Sequence, residues 1–385
     1  MHRGNPSLTG VVQASGLRHF QRVKWELEGE FAVHLPLVAG PDLLYAIWLT
    51  GIEVEIYAIE KETGVIRWHW KPDQGEYAGQ AHLYLDQDVL YYPVRAVQSQ
   101  PGANLAVVRE AFLYAFDAQT GHVRRRIPLP AIGNKPSYNL FALHEGIIYL
   151  NGGMKSIPPP PSPSAHYWCV AVDLQTEQLL WRTDMGVRLY SFSPVVAHGM
   201  VYLQTYDAAA RGRSGPMHLH ALDAQTGVSI WEYECARGSN HEFAVAGAEV
   251  FMISGGLEVI DASSGTRRWS LPYGPSPVTG SPTITDDLVC LSYEGLPTWI
   301  ENEPHKTGEM VVLERESRRR LWSAKAHEEQ YATEGAIVAD NVLYTVWKHS
   351  DSVRGWSPMP PCLPWTRERD RNIGILTPQS FPSPW

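Results

Sequence analysis

Residues 219–231 read LHALDAQTGVSIW, and this stretch decides the fold. Its first half is an apolar run typical of a strand, and its second half begins another strand that carries Trp231. Asp223 opens the turn between them, because its carboxylate can accept hydrogen bonds from the backbone amides that follow it. Gly227 closes the turn at a position that needs a positive φ, which glycine adopts without steric cost. The stretch therefore predicts a β-hairpin with a tryptophan on its second strand.

The same unit occurs six times in the chain. In each copy an acid stands four residues before the turn-closing position, and a second slot stands four residues after it. The turn-closing positions are 64, 121, 177, 227, 265 and 318. The second slots hold Trp68, Arg125, Trp181, Trp231, Trp269 and Trp322. Six copies in one register, separated by connections of varying length, predict a repeat array such as a propeller.

A second kind of hairpin alternates with these units. It consists of two short apolar runs joined by a polar or glycine-containing turn. The seven examples are residues 35–45, 83–92, 140–150, 194–203, 243–253, 282–291 and 336–345. One hairpin of each kind makes a four-stranded antiparallel blade, whose strands we label A and B for the first hairpin and C and D for the tryptophan-bearing one. Seven A–B hairpins predict an all-β, seven-bladed propeller.

The unit closely resembles the PQQ-like β-propeller repeat, as residues 113–121, LYAFDAQTG, illustrate. That repeat occurs in quinoprotein alcohol dehydrogenases and in the propeller lipoprotein of outer-membrane assembly. The resemblance covers roughly residues 23–349 and implies a propeller of four-stranded blades. Eight blades are usual in the family, so eight is the alternative to seven. The family contains both enzymes and binding scaffolds, so the resemblance leaves the function open.

The two ends of the chain complete the predicted ring. No Asp/Thr-Gly/Trp unit follows residue 349, so the seventh blade lacks recognisable C and D strands. Trp25 lies in an isolated copy of the Trp strand, which can supply the missing D strand next to the hairpin 333–349 and close the ring. Residues 1–22 are then an N-terminal arm. Residues 350–385 are rich in proline and are expected to be irregular, either as a tail or as a truncated last blade.

A structural role is predicted for the six tryptophans of the D strands. An outer-strand tryptophan can lie between neighbouring blades, where its large flat ring packs against the adjoining sheet. We expect these side chains to be largely buried at equivalent places. They are Trp25, Trp68, Trp181, Trp231, Trp269 and Trp322. Arg125 occupies this slot in the second copy, where it either stacks on a neighbouring aromatic ring or marks a looser blade junction.

Composition limits the classes of function. The net charge of −9 and the absence of a Lys/Arg stripe argue against nucleic acid binding. The four cysteines are far apart and form no C-x-x-C motif, which argues against a disulfide framework or a cysteine zinc site. No run approaches the roughly 18 apolar residues of a membrane span. The first 20 residues lack an apolar signal segment and a lipidation cysteine. We therefore expect a cytoplasmic monomer, or an extracytoplasmic protein if the N-terminus is incomplete.

The long connections all fall on one face of the predicted ring. In a four-stranded meander, the B–C and D–A connections share one face, and the A–B and C–D turns share the other. The long insertions are residues 96–109, 152–166, 207–216 and 296–308, and each joins a B strand to a C strand. Binding residues concentrate on loops held by a rigid scaffold, so this B–C face is the predicted surface for a protein or peptide partner. Arg211, Arg213, Trp299 and His305 are its candidate exposed residues. The alternative is that these are merely tolerated insertions.

The sequence contains few features that indicate catalysis. The resemblance implies that an enzyme of this family would hold PQQ with a calcium ion, a stacking Trp and an Asp base, often beside two adjacent cysteines. This chain has no adjacent cysteines, and no calcium-binding set can be matched to its positions. His218 and His220 alternate along one strand, but no third metal ligand is near in sequence. The sequence therefore favours a non-catalytic binding or scaffold protein without a cofactor. The alternative is a PQQ- and Ca²⁺-dependent dehydrogenase of alcohols or sugars.

Overall fold

In the computed structural model, every described element of secondary structure is a β-strand. The structure describes residues 11–12, 21–29, 37–50, 53–73, 76–77, 83–99, 106–130, 138–153, 167–186, 188–190, 193–207, 217–235, 243–254, 256–272, 281–293, 297–300, 303–306, 308–325, 330–339, 342–349 and 371–378. The strands form antiparallel sheets of four main strands, as the repeat predicts. The fold is thus an all-β propeller of four-stranded blades.

Six blades are each built from one continuous stretch of chain. Blade 1 contains Val38–Ala39, Leu43–Thr50, Glu53–Glu60 and Ile66–Trp70. Blade 2 contains Glu76–Tyr77, Tyr84–Asp86, Val89–Ser99, Ala106–Asp117 and Val123–Pro128. Blade 3 contains Tyr138–His144, Ile147–Gly153, Tyr167–Asp173 and Leu179–Asp184. Blade 4 contains Arg188–Tyr190, Val195–Ala197, Met200–Asp207, Met217–Asp223 and Ser229–Cys235. Blade 5 contains Ala244–Ala246, Glu249–Ile253, Gly256–Asp261 and Arg267–Pro272. Blade 6 contains Thr283–Ile284, Leu288–Tyr293, Glu309–Glu314 and Arg320–Lys325.

A composite sheet joins the two ends of the chain. Its main strands, in spatial order, are Gln330–Ala339, Val342–His349, Arg371–Pro378 and Gln21–Gly29. Val11–Val12 adds a parallel strand beside Val338 and Ala339. The strand of Trp25 is therefore the outermost strand of this sheet, as predicted. It does not pair directly with the 333–349 hairpin, because Arg371–Pro378 lies between them. The tail expected to be irregular thus contributes a C strand.

The ring consists of the six blades and this composite sheet. The A strands of neighbouring blades contact one another in turn, and Gln330–Ala339 contacts inner strands of both blade 6 and blade 1. The structure therefore shows six blades of the repeated build, not the seven or eight predicted from sequence. The prediction failed because the repeat unit is absent from both chain ends, whose strands pair across more than 300 residues of sequence.

The turn between the C and D strands has the predicted hydrogen bonds. In blade 4, Asp223 Oδ1 accepts from the backbone amides of Gln225 and Thr226 at 3.1 and 2.8 Å and from the Thr226 hydroxyl at 2.7 Å. Gly227 has φ +72° and donates its amide to the Asp223 carbonyl at 2.8 Å. The other aspartates with this arrangement are Asp117, Asp173 and Asp261. The predicted roles of the acid and the turn-closing glycine are confirmed.

Four of these tryptophans pack on the turn of the next blade. Trp181 Nε1 of blade 3 donates to the Ala224 carbonyl of blade 4 at 2.9 Å. The indole ring covers Gly227 so closely that a Cβ there would lie 2.6 Å from Trp181 Cε3. Trp25, Trp68 and Trp231 make the same pair of contacts. We call this arrangement the Trp–turn contact. Trp181 is buried, and the other five rings are partly exposed.

We call the boundary between two neighbouring blades a seam. Two seams differ from this pattern, and at each of them a substituted arginine side chain makes a different contact. Arg125 of blade 2 faces Glu177, which replaces glycine in the turn of blade 3, and their side chains form a 3.2 Å ion pair. Glu177 keeps the positive φ of the turn, at +60°. At the next irregular seam Arg318 replaces the glycine of blade 6, and its guanidinium lies 4.7 Å from the ring centre of Trp269. Arg125 therefore does not stack on an aromatic ring at this seam; it pairs with the acid that replaces the glycine.

The turn carboxylates hold their charge strongly. The pKa of Asp117 is lowered to about 2, first by its hydrogen bond from Arg124 and then by hydrogen bonds from Thr120. The pKa of Asp223 is lowered as well, chiefly by the hydroxyl and amide of Thr226. These turns are therefore built around the ionised carboxylate, and protonation removes an acceptor from several donors at once.

Gly227→Ala and Gly146→Ala test the Trp–turn contact as a matched pair. Both glycines have φ near +70°, at +72° and +76°, so both variants should lose about 1–2 kcal/mol of stability from backbone strain. An added Cβ meets nothing within 4 Å at Gly146, but it collides with Trp181 at Gly227. Gly227→Ala should therefore lose about 1–3 kcal/mol more. Urea unfolding measures both, and equal losses would show that the indole contact contributes little.

Arg125→Trp combined with Glu177→Gly should restore a regular seam between blades 2 and 3. Exposed ion pairs such as the existing one contribute about 0–1 kcal/mol. The indole would gain a carbonyl acceptor at Leu174 and a flat glycine surface, so we expect the double variant to gain about 1 kcal/mol. Arg125→Trp alone should not stabilise, because Glu177 would occupy the site of the ring. A double-mutant cycle by urea unfolding with no coupling between the two changes would contradict this account.

Asp117→Asn should reduce the acid sensitivity of the fold. The pKa of Asp117 in the folded chain, about 2, lies below the value of about 3.9 in an unfolded chain. Its contribution to stability is therefore complete above about pH 4 and is lost as the pH falls towards 2. The variant should be less stable at pH 6 and show a shallower decline below pH 4 in urea midpoints. Arg124→Gln, which keeps the carboxylate, should instead shift that decline to higher pH. If the stability of both variants fell with pH as that of the wild type does, the pairing of Asp117 with Arg124 would not be the cause of the acid sensitivity.

Candidate functional site

The B–C face carries two β-hairpins that extend beyond the blades. In blade 2 the B and C strands continue to a pairing of Ser99 with Ala106, well beyond the corresponding strands of blade 5. In blade 6 the B–C connection contains a separate two-stranded sheet, Pro297–Ile300 with Glu303–Lys306. The opposite face has short turns closed by the aspartates and glycines of the repeat. The two faces of the ring are therefore built very differently.

Two of the four candidate partner residues lie on the blade 6 hairpin. Backbone pairing places Thr298 opposite His305 and Trp299 opposite Pro304. Trp299 and His305 are thus brought to adjacent rungs of one small sheet, although their side chains are outside the described part of the structure. Arg211 and Arg213 fall in residues 208–216, which also lie outside it. The position of the two arginines remains a prediction.

A buried polar network lies at the B–C end of blade 4. Thr205 Oγ1 is 2.8 Å from His220 Nε2, and His220 Nδ1 is 3.6 Å from Glu232 Oε2. His218 Nδ1 lies 2.9 Å from Glu232 Oε1, in an orientation that makes no hydrogen bond. His220 is only 3% exposed and Thr205 is fully buried. The network therefore holds three strands together and offers no accessible nucleophile.

The sequence pointed to the two histidines of this network but not to their partners. Thr205 is the cross-strand neighbour of His218, and Glu232 is the cross-strand neighbour of His220. Such neighbours become visible only when the strand register is known. Within the described ranges, no three His, Cys, Asp or Glu side chains are placed to hold a metal ion. In those ranges Thr205 lies beside His220, and Glu232 lies beside both histidines.

A buried carboxyl group lies at the seam between blades 4 and 5. Glu258 is 4% exposed and accepts a hydrogen bond from the Tyr233 hydroxyl at 3.0 Å. Burial raises the pKa of Glu258, and burial followed by the charge of Glu258 raises the pKa of Tyr233 to about 12. This pair could not be predicted, since Glu258 stands in the apolar run GLEVI of a C strand. A lone carboxyl group held by a tyrosine does not amount to a catalytic pair.

The donor groups needed for a quinone–calcium centre are not assembled in the described ranges. Such a centre needs several carboxylate and amide oxygens around one cation, and the described carboxylates form no such set. The three described cysteines, Cys169, Cys235 and Cys290, are buried and lie in three different blades. The described ranges contain no apolar helix of membrane-spanning length.

Comparisons with known proteins agree with the repeat. The family model for the outer membrane protein assembly factor BamB matches residues 216–350. No curated protein matches the chain. Similar solved structures include two quinohemoprotein alcohol dehydrogenases and one BamB, and these are described next.

The dehydrogenase from Pseudomonas putida HK5 shares 12% identity at a TM-score of 0.58, covering 91% of this chain and 70% of that one. The dehydrogenase from Comamonas testosteroni shares 12% identity at a TM-score of 0.55, covering 86% and 67%. BamB from Moraxella catarrhalis shares 13% identity at a TM-score of 0.47, covering 89% and 81%. At identities this low, the two dehydrogenase structures show a common fold and no more. Together with the family model over residues 216–350, they agree with the resemblance of the repeat to the PQQ-like β-propeller.

Proposed function

We propose that this chain is a non-catalytic binding or scaffold protein that holds a protein or peptide partner on its B–C face. The observation that carries the proposal is the difference between the two faces of the ring. One face ends in short turns, whereas the other bears the extended hairpin of blade 2 and the separate hairpin of blade 6. Loops on a rigid scaffold are where binding residues usually lie.

The blade 6 hairpin has the backbone groups that such a partner needs. Its two strands pair with each other and with no other strand in the described ranges. Each strand therefore has an outer edge of backbone N–H and C=O groups, to which an extended peptide can add by main-chain hydrogen bonds. Trp299 on this hairpin belongs to a residue type that often dominates the free energy of binding at interfaces. An extended segment of a partner protein is thus the occupant we favour.

The family comparison supports a binding role without specifying it. The model that matches residues 216–350 describes an assembly factor, and these residues include the blade 6 hairpin. A quinoprotein dehydrogenase of alcohols or sugars is the alternative, since the similar solved structures include such enzymes. Within the described ranges, no three His, Cys, Asp or Glu side chains are grouped to hold a metal ion. The proposal therefore includes no cofactor and no catalytic residue.

Site-specific photocrosslinking in cells tests the proposed face. A photoreactive amino acid at Thr298 should give a discrete crosslinked protein, because this position lies on the blade 6 hairpin. The matched control is the same amino acid at Gln225, an exposed position in a C–D turn of the opposite face. Replacing residues 298–305 with a two-residue turn should abolish recovery of that crosslinked protein by a tagged chain. Equal crosslinking from both faces, or unchanged recovery after the replacement, would contradict the proposed surface.

Titration with PQQ and Ca²⁺ distinguishes the alternative function. Calorimetry should show no specific quinone binding, and a dye-linked assay with alcohols and glucose should show no turnover. Micromolar binding accompanied by oxidation would overturn the scaffold proposal.

A further inference from the structure

Three sulfur-containing side chains belong to one buried cluster at the seam between blades 4 and 5. Cys235 Sγ lies 3.5 Å from Met252 Sδ of the next blade. Met217 is the direct cross-strand neighbour of Cys235 in blade 4 and belongs to the same buried cluster. Cys235 and Met217 are each 4% exposed, and Met252 is fully buried. We call Met217, Cys235 and Met252 the sulfur cluster.

A buried amide points to an absent ligand at this cluster. Gln204 is fully buried, and its Nε2 lies 2.9 Å from Met217 Sδ. Its Oε1 has no hydrogen-bond partner among the described residues. A buried carbonyl oxygen left unpaired is costly, so native structures usually give it a proton or a cation to bind. Gln204 Oε1 is thus a buried oxygen, beside the sulfur cluster, that could bind a cation.

We propose that the sulfur cluster binds one Cu(I) ion through the Cys235 thiolate and the thioethers of Met217 and Met252, with Gln204 Oε1 completing the site. Thiolate and thioether ligands together select soft cations, and Cu(I) is the soft first-row ion. Two sulfurs 3.5 Å apart, each about 2.3 Å from a metal, subtend an angle of about 100°, which suits a three- or four-coordinate ion. As the Cu–S bond forms, the thiol proton leaves to solvent, so the site carries no net charge.

The site lies at the B–C end of blade 4. Met217 is the first residue of its strand and Cys235 is the last of the neighbouring strand, so both stand at the B–C end of blade 4. The ion would therefore bind between two blades, away from the turns that carry the repeat. Simple hydrocarbon packing is the competing explanation, since methionine is a common filler of irregular cores. The two explanations predict opposite results for metal binding.

Anaerobic titration of the full chain with Cu(I), in competition with bicinchoninate, tests the proposal. We expect one ion per chain at an affinity that exceeds that of the competitor. Cys235→Ser should weaken binding by at least about a hundredfold, and Met252→Leu, which nearly keeps the side-chain volume, by about tenfold or more. Cys290→Ser, a similarly buried cysteine in blade 6, and Cys362→Ser are the controls and should bind as the wild type does. Absence of tight binding, or equal binding by Cys235→Ser, would overturn the site.

X-ray absorption spectroscopy of the copper-loaded wild type tests the proposal without any variant. A variant that fails to fold therefore does not affect this measurement. We expect a first shell dominated by sulfur at about 2.3 Å. A shell dominated by nitrogen would place the ion on histidines elsewhere and would overturn the proposal. Because copper binding to Cys235 releases a proton, the affinity should also fall as the pH is lowered.

Discussion

The packing of a tryptophan on the turn of the next blade is the contact on which the ring depends. The aspartate gathers the amides of its turn, and this leaves the carbonyl of the following residue pointing at the neighbouring blade. In blades 3 and 4 a B-strand tyrosine donates to the same carbonyl as the tryptophan beside it, as Tyr149 and Trp181 do at Ala224. Glycine then leaves a flat surface that the indole ring covers. One turn therefore supplies both the end of its own hairpin and the docking surface for the previous blade.

This dependence explains how the two irregular seams are built. At the seam of blades 2 and 3 the tryptophan and the glycine are both absent, and an arginine and a glutamate stand in their places. At the seam of blades 5 and 6 the tryptophan is kept, but an arginine replaces the glycine and covers the ring. In both seams the turn keeps its positive φ in a non-glycine residue. At the seam of blades 2 and 3 a change on one side is thus matched by a change on the other, whereas at the seam of blades 5 and 6 the new arginine packs on the tryptophan that is kept.

The repeat could be predicted from sequence because its chemistry is local. Asp223, Thr226 and Gly227 stand within five residues, and their spacing alone fixes the turn. The composite sheet could not be predicted in the same way, since the strand of Trp25 pairs with Arg371–Pro378 across nearly the whole chain. That tail strand carries none of the repeat residues. The same limit applies to the site: the hairpin of Trp299 was predicted as a long connection, whereas the partners of His220 depended on a strand register that the sequence does not state.

The two ends of each blade contribute differently to stability and to binding. The Trp–turn contacts join the blades at the end where the C–D turns lie. The B–C end therefore contributes less to holding neighbouring blades together. The buried polar side chains of blades 4 and 5 include Gln204, His220 and Glu258, which lie on strands that lead to or from that end. The extended hairpins rise from the same end. Because the Trp–turn contacts already join the blades at the C–D end, polar and sulfur-containing side chains can lie between blades at the B–C end without separating the blades. A surface that binds a partner is therefore most easily acquired on the B–C face, where changes in sequence leave the Trp–turn contacts intact.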